Sequence, residues 1–308
     1  MNKKEEETRR SQCSQERKDA KNEQATSEFD LTILPPQDKI VERRPLKRPI
    51  HPTLPNIYKG SILLLIAKIR SGKTCLILNL LKNPNLMDNA FDHIFIISNT
   101  IHQDKTLDSL KEIATIYDHY DDGIVQSIMD YQNSFEDHLS RPRTCIVLDD
   151  VVNSVRKMGS TIESLACRSR HCLNGGLVVM ASQQMNKIPV PMRTNATHLV
   201  LFKTTSVKER NALEEAYADN FSEGIYGNDT FLKALDYATA KQYNFLYVNF
   251  DHFIPGLFMN FTDELYPNGV FGHSRGEDPQ PNDDPVDSNS EEDEVDGIIL
   301  NKGIKKNK

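Results

Sequence analysis

Eight residues, 67–74, constrain the fold of this chain more than any other stretch, because a fixed residue pattern there has apolar flanks on both sides. They read Ala-Lys-Ile-Arg-Ser-Gly-Lys-Thr and match G-x-x-x-x-G-K-[ST] except at the first position, where Ala67 replaces Gly. An apolar run, residues 62–66, precedes them, and another, residues 75–81, follows and stops at Asn83-Pro84. This order predicts a buried strand, a tight loop and a helix that opens on Gly-Lys-Thr.

A loop of this kind binds phosphate, because its backbone N–H groups and the helix N-terminus all face an anion. We therefore expect ATP with Mg²⁺ as ligand. The predicted phosphate-binding residues are Ala67, Lys68, Ile69, Arg70, Ser71, Gly72, Lys73 and Thr74. Lys73 would neutralise the β- and γ-phosphates and Thr74 would contact Mg²⁺. The Ala67 methyl would strain the loop if that position needed a positive φ.

A second motif lies about 75 residues further on, where residues 144–148 are followed by Asp149 and Asp150. Asp149 is expected to hold Mg²⁺, directly or through water, and Asp150 to orient or deprotonate the attacking water. A strand and helices are predicted between the two motifs. That layout is typical of RecA-like motors rather than of small nucleotide kinases or GTPases.

A third strand, residues 177–181, ends in Ser182-Gln183-Gln184. An amide at this position could hydrogen-bond the γ-phosphate or the lytic water, so Gln183 is a candidate sensor. The alternative is a strand that simply ends in polar residues.

The remaining chain completes an α/β pattern with a mainly parallel central sheet and helices on both faces. Further strands are predicted at 92–98, where a polar Ser-Asn-Thr follows, at 198–202, and at 243–248 as an edge strand. Helices are predicted at 106–117, 123–135, 151–172, 206–218 and 230–240. Residues 189–195 are expected to form a loop and residues 255–271 an irregular segment.

Composition divides the chain into a nucleotide-binding domain, residues 51–272, and two charged tails, residues 1–50 and 273–308, that we expect to be disordered. Residues 273–296 hold ten acids and one arginine, which contribute −9 to a net charge of −7, so the remainder carries +2. This charge neither requires nor excludes a nucleic-acid partner.

Five scattered cysteines fit reduced thiols of a cytosolic protein better than a disulfide framework. His171 beside Cys167 and Cys172 lacks a fourth metal ligand at a recognisable spacing, so a packed helix is the better interpretation. Residues 1–30 are charged throughout, and no apolar stretch approaches the roughly 20 residues that span a bilayer. We expect a soluble protein without a membrane span.

Residues 60–205 resemble the virion DNA-packaging ATPases of large double-stranded DNA viruses, the poxvirus-type members of the FtsK/HerA superfamily. The resemblance rests on residues 66–68, 71–74, 146–150, 168–171, 181–183, 193–196 and 199–203 in this order, and neither tail shares in it.

The resemblance implies a RecA-like P-loop ATPase that assembles as a homo-oligomeric ring, a pentamer or hexamer, and moves double-stranded DNA into a preformed capsid. It further implies capsid or virion proteins as partners, and the host cytoplasm and virion as location. Lys73, Asp150 and Gln183 would be catalytic, Thr74 and Asp149 would bind metal, and an arginine from the neighbouring subunit would complete each site. Arg168 and Arg170 are the candidates, with Arg193 in reserve; surface or ion-paired arginines are the alternative.

The chain departs from the family pattern at three places, and the two in the phosphate loop leave other functions open. Ala67 replaces the first Gly, Ile69-Arg70 stands where a second Gly is common, and the second acid is Asp150 instead of Glu. Ala67 and Arg70 favour a virion assembly protein that uses ATP as a conformational ligand. Lys73, Asp149, Asp150 and Gln183 disfavour it, because such a protein would not need a positioned base. A cellular HerA-type helicase is weaker still, because its usual N-terminal barrel cannot come from a polar tail of about 45 residues.

Overall fold

The computed structural model describes residues 45–100, 109–137, 139–151, 160–221, 230–252 and 255–265. From Leu46 onward, these residues belong to one compact unit. The strands are β1 Ser61–Ile66, β2 His93–Ser98, β3 Thr115–Tyr117, β4 Thr144–Asp149, β5 Leu177–Ser182, β6 His198–Phe202, β7 Phe245–Asn249, β8 Gly256–Met259 and β9 Asp263–Glu264. The helices are α1 Lys73–Lys82, α2 Asp122–Asn133, α3 Ser160–Cys172, α4 Val190–Thr194, α5 Val207–Tyr217 and α6 Thr230–Ala238.

All strands of the described residues join one sheet in the order β3-β2-β4-β5-β1-β6-β7-β8-β9. The pairs from β3 to β6 are parallel, whereas the pairs from β6 to β9 are antiparallel. The strand that precedes the 67–74 loop is therefore central, with β5 on one side and β6 on the other. The α/β fold with a mainly parallel sheet is confirmed.

The two faces of the sheet carry separate apolar cores. Alternate residues of β1 point to opposite faces, so that Leu64 belongs to one core and Leu63 to the other. The first core includes apolar residues of α2, α3, α5 and α6, and the second includes the apolar face of α1. Strands covered on both faces read as unbroken apolar runs, which is why β1, β4, β5 and β6 were visible in the sequence.

The register of the parallel strands brings their carboxyl ends to one line. Ser98 at the end of β2 pairs with Asp149 at the end of β4, and Asp149 pairs in turn with Ala181. Ile66 at the end of β1 pairs with Ser182. The segments that follow these strands therefore meet at the same edge of the sheet.

Two predictions on the first half of the chain need correction or restriction. The helix predicted over 106–117 is wrong where it is described, because Thr115–Tyr117 is β3, a short parallel edge strand paired with β2. Tertiary pairing overrides local helical spacing there. The helix predicted over 151–172 is confirmed from Ser160 to Cys172. Residues 106–108 and 152–159 lie outside the described residues.

Three predictions on the second half are wrong. The loop predicted at 189–195 contains α4, because proline is compatible with the first turn of a helix. The predicted edge strand is β7, which is internal, since β8 pairs along its other side. The segment predicted to be irregular from 255 to 271 forms β8 and β9 where it is described. The tails predicted to be disordered lie almost wholly outside the described residues.

None of the helices in the described ranges has the length and apolar character that a membrane crossing requires.

His198 in β6 is buried and gives the fold a pH-dependent stability. Its ring stacks on Tyr247 with centroids 5.8 Å apart, and Thr197 Oγ1 lies 2.8 Å from Nδ1. Burial, assisted by the nearby charge of His252, lowers the pKa of His198 to about 3. In the unfolded chain the imidazole titrates near its ordinary pKa of about 6.5, so the unfolded state binds more protons as the pH falls below that value.

We therefore expect the free energy of unfolding to fall by about 2 kcal/mol between pH 7 and pH 5 through His198 alone. His198→Phe keeps an aromatic ring for the stack and should lose this part of the pH dependence. Urea unfolding at both pH values measures it, with the exposed His51→Gln as control. An identical pH dependence in wild type and His198→Phe would contradict the assignment.

Candidate nucleotide-binding site

The loop between β1 and α1 is anchored to the neighbouring strand at its start and to itself further on. The Ala67 N–H donates to the Ser182 carbonyl at the end of β5 (3.0 Å). Ser71 donates to the Lys68 carbonyl twice, from its backbone N–H (3.3 Å) and from Oγ (2.6 Å). These bonds hold the loop as a tight turn whose outer residues, Ile69 among them, are exposed.

The positive φ values of the loop fall on Arg70 (64°) and Gly72 (100°), and Ala67 is not among the positive-φ residues of the described chain. Replacing the first glycine of the pattern by alanine therefore costs no left-handed strain here. Ala67 is buried against the core of the α1 face, where its methyl group contributes to packing. The strain that the sequence suggested for an alanine at position 67 is therefore absent.

Gly72 immediately precedes α1, and no side chain caps the helix. The first-turn N–H groups of a helix have no intrahelical acceptors, so these donors remain for an anion. Lys73 and Thr74 occupy the first two positions of the helix. The local order of strand, loop and helix is the one that the sequence predicted.

Asp149 and Asp150 meet Lys73 across the same cleft. Asp149 is the last residue of β4 and is 2% exposed. The Lys73 ammonium lies 2.8 Å from Asp149 Oδ1 and also donates to the Asp150 carboxylate. Ser98 Oγ donates to the other oxygen of Asp149 (3.2 Å). The lysine of the first motif and both acids of the second therefore form one ion triad.

Burial and charge act in opposite directions on the two central members of this triad. Burial alone would lower the pKa of Lys73, but the charges and hydrogen bonds of Asp149 and Asp150 outweigh it, so the pKa is raised and the ammonium stays charged. Burial raises the pKa of Asp149, and the Lys73 ammonium and the Ser98 hydroxyl oppose that shift. Lys73 is thus the main stabiliser of a carboxylate that the fold otherwise disfavours.

A cavity of about 560 Å³ opens above the triad at the carboxyl edge of the sheet. The predicted site residues that line it are Lys68, Ile69, Arg70, Gly72, Lys73, Thr74, Asp149, Asp150 and Gln183. Gln183 follows β5 and is exposed to this cavity, where the sequence expected a sensor. Ala67 and Ser71 belong to the loop and are not lining residues.

Arg168 and Arg170 do not lie at this cavity. Arg170 Cα would be 2.8 Å from a methyl group placed on Gly60, which immediately precedes β1, so it sits at the amino edge of the sheet. A six-residue strand separates that edge from the phosphate loop by roughly 20 Å. Arg168 is exposed on the last turns of the same helix, and Arg193 is half-buried in α4. A role for either of the first two in a neighbouring subunit's site stays a prediction.

The donor set suits a magnesium ion that is bound together with a nucleotide. The described residues contain no group of three or more His, Cys, Asp or Glu that could hold a metal. Mg²⁺ commonly uses only one or two carboxylates, and phosphate oxygens and water supply its other ligands. Asp149 and the Thr74 hydroxyl are the residues at this cavity that could serve.

Three residues that the sequence did not assign to the site also line the cavity, Cys75, Thr100 and Tyr243. Thr100 lies just past β2, next to Ser98, whose Oγ is 3.1 Å from Thr100 Oγ1. The sequence feature that could have pointed to Thr100 and Ser98 is the polar segment Ser-Asn-Thr at the end of a buried strand. Tyr243 precedes β7 and lies some 170 residues from the phosphate loop, so no local pattern pointed to it.

No family model matches the sequence, and comparison with curated proteins gives no match. Among solved structures, the chain is similar to the genome packaging NTPase B204 of Sulfolobus turreted icosahedral virus 2 in complex with ATPγS. The TM-score is 0.45 at 16% identity, over 66% of this chain and 98% of that chain. The monomer form of the pCW3 conjugation coupling protein TcpA, with ATPγS, gives a TM-score of 0.43 at 13% identity, over 67% and 62% of the two chains. EssC of Geobacillus thermodenitrificans (ATPases 2 and 3) gives a TM-score of 0.39 at 14% identity, over 68% of this chain and 39% of that chain. All three similarities are distant.

Proposed function

We propose that this chain is a P-loop ATPase of the RecA-like type and that it works as a motor on double-stranded DNA. One observation carries the first part: four side chains converge on a single cavity, namely Lys73 at the start of α1, Asp149 at the end of β4, Asp150 directly after it, and Gln183 directly after β5. A site that only bound phosphate would need the loop and the lysine. Hydrolysis also requires groups that hold the metal and position the lytic water, and the acids and the amide can supply them.

In the proposed reaction, the loop and the first turn of α1 hold the phosphates through backbone N–H groups, and Lys73 leaves the acids to neutralise the β- and γ-phosphates. Thr74 and Asp149 would hold Mg²⁺, which supplies charge neutralisation at the phosphate oxygens when it is bound. Asp150, released from Lys73, orients the lytic water and accepts its proton. Gln183 donates to the γ-phosphate or to the water.

The ion triad explains how two acids can lie together at the end of a buried strand, because Lys73 neutralises both carboxylates. ATP binding would draw Lys73 from the acids to the phosphates, after which Asp149 would be free to hold Mg²⁺ and Asp150 to face the lytic water.

The finer part of the proposal rests on the resemblance of residues 60–205 to virion DNA-packaging ATPases of the FtsK/HerA superfamily. On this basis we propose that the protein acts on double-stranded DNA, that its active form is a homo-oligomeric ring, and that it fills a capsid with DNA in the host cytoplasm. The position of Arg170 at the amino edge of the sheet is compatible with a role in trans, since it cannot serve its own site.

A second candidate is a virion assembly protein that binds ATP as a conformational ligand and does not hydrolyse it. The observation that favours it is the engagement of Asp150 by Lys73, which leaves that carboxylate unavailable as a base unless the lysine moves.

ATP turnover by the purified full chain with Mg²⁺, with and without linear duplex DNA, separates these functions. We expect hydrolysis that DNA stimulates, and a stimulation that weakens as salt rises, because phosphate contacts release counterions. ATP binding without hydrolysis under either condition would overturn the motor and favour the assembly protein. Hydrolysis that DNA leaves unchanged would overturn the DNA-dependent part alone.

A further inference from the structure

A second cavity, of about 320 Å³, lies beside the phosphate site on the side away from the acids. Its walls include Phe202 and Lys203 at the end of β6 and Gln242 in the turn before β7. Arg70 and Tyr243 line both this cavity and the phosphate cavity, so the two spaces adjoin at these side chains. The function proposed above uses the first cavity and leaves the second without an occupant.

Strand order fixes which end of a bound nucleotide would enter the second cavity. The acids follow β4, which lies two strands from β1 on one side, and Tyr243 precedes β7, which lies two strands from β1 on the other. The phosphate loop follows β1 between them. A triphosphate whose γ-phosphate faces Asp150 therefore extends its sugar and base away from the acids, towards Tyr243.

Tyr243 has the exposure and placement of a stacking platform. Its side chain is 62% exposed, so core packing does not account for it. Its ring lies over the loop glycine: a methyl group on Gly72 would be 3.2 Å from Tyr243 Cδ1. Its backbone adopts a left-handed φ of 68°, a conformation that is unfavourable for a residue with a side chain.

The turn that carries Tyr243 is held in place from both sides. The Asn244 N–H donates to the Lys241 carbonyl (3.3 Å), and the Asn244 side-chain amide contacts Met259 Sδ in β8 (3.6 Å). The antiparallel strands β7 and β8 thus do more than extend the sheet: they position an aromatic ring beside the phosphate loop.

We infer that the second cavity is the subsite for the nucleotide base, which stacks on the ring of Tyr243; this inference rests on the proposed nucleotide-binding function. Every base has a π-face, and stacking on an aromatic side chain is worth about 1–3 kcal/mol without strong base preference. The subsite should therefore accept adenine and guanine nucleotides alike. Gln242 and Asn244 offer amides for the edge of the base, and Arg70 a guanidinium for its second face.

Equilibrium binding to the full chain in the presence of Mg²⁺ tests the subsite, with ATP, GTP and inorganic tripolyphosphate as ligands. Tyr243→Ala should weaken ATP and GTP on the order of 5- to 150-fold and leave tripolyphosphate unchanged, because only the nucleotides carry a base. Tyr243→Phe keeps the ring and should bind like wild type. Tyr237→Ala, at an exposed tyrosine of α6 that does not line the cavity, is the matched control.

The absence of tryptophan from the whole sequence permits a direct readout. Tyr243→Trp introduces a single indole, whose fluorescence a stacked base quenches. We expect quenching by ATP and GTP, and none by tripolyphosphate.

The outcomes separate the subsite from the function on which it rests. If wild type binds neither ATP nor tripolyphosphate, the proposed function fails and the subsite with it. If wild type binds ATP and Tyr243→Ala binds it equally well, the subsite alone is overturned. Equal weakening of ATP and tripolyphosphate would also overturn it, because Tyr243 would then act through the phosphate loop. Unchanged ATP binding with a lost DNA response would instead assign the cavity to a nucleic-acid phosphate.

Discussion

Lys73→Ala is expected to abolish ATP turnover and, before any nucleotide is added, to lower the free energy of unfolding by about 3 kcal/mol at pH 7. The lysine is the counter-ion of two carboxylates, one of them almost fully buried, and its loss leaves both unpaired. Removing one partner of a buried ion pair costs about 3–5 kcal/mol, and the partial exposure of Asp150 places the expected value at the lower end.

The pH dependence of this loss distinguishes the ion triad from a packing effect. Burial already raises the pKa of Asp149, and without Lys73 the charge and the hydrogen bond that oppose the shift disappear, so the pKa rises further. A carboxyl group whose pKa is higher in the folded than in the unfolded state stabilises the fold as it becomes protonated. The deficit of Lys73→Ala should therefore shrink as the pH is lowered from 7 towards 5.

Urea unfolding at several pH values measures this behaviour, and a double mutant provides the control. Lys73→Ala combined with Asp149→Asn removes the unpaired charge and should recover much of the lost stability at pH 7. Lys233→Ala, an exposed lysine of α6, should leave the free energy of unfolding unchanged. A Lys73→Ala protein as stable as wild type at pH 7 would show that the triad does not exist in the free protein.

The sequence was sufficient for those parts of the site that lie next to the central strands. Apolar runs that end in a characteristic loop or in paired acids identify β1 and β4. Because Lys73 and Asp149 lie close in sequence to the ends of these strands, they must lie at the carboxyl edge of the sheet. Because parallel strands bring their carboxyl ends together, the meeting of these residues followed from the fold class. The same reasoning predicted Gln183, which follows β5 and lines the cavity, and its role as a sensor stays a prediction.

The parts that could not be predicted depend on pairing between distant segments. β3 is three residues long and takes its conformation from β2, so its own sequence suggested a helix. β8 turns β7 into an internal strand, and no feature of residues 243–248 signals a partner that comes later in the chain. Tyr243 reaches the loop only because β7 runs antiparallel to β6 and brings its first residue to the same edge.

Arg170 illustrates the limit of motif transfer. The two arginines were proposed from their order after the second motif, but α3 carries Arg170 back to the amino edge of the sheet, away from the loop. Sequence order says nothing about which edge a helix end reaches. The fold therefore places Arg170 away from the cavity of its own chain, and a role in a neighbouring subunit's site stays a prediction.

Asp150→Asn should lower ATP turnover by about 10²- to 10⁴-fold, the usual contribution of a positioned general base, while ATP binding persists. The substitution suits the backbone, because Asp150 has a left-handed φ of 53° and asparagine tolerates that conformation as well as aspartate does. The same geometry favours an aspartate over a glutamate at this position, because short side chains that bond locally accept positive φ more readily than long ones.

Because the asparagine amide no longer pairs electrostatically with Lys73, the lysine is released to the phosphates at lower cost, and the affinity for ATP should be equal to or higher than that of wild type. Single-turnover hydrolysis and equilibrium ATP binding on the same preparation separate the two effects. Asp149→Asn is the matched comparison, since it should instead raise the Mg²⁺ concentration needed for half-maximal turnover. Turnover of Asp150→Asn within a few-fold of wild type would assign the base to another group, and parallel loss of binding and turnover would make Asp150 a structural partner of Lys73 alone.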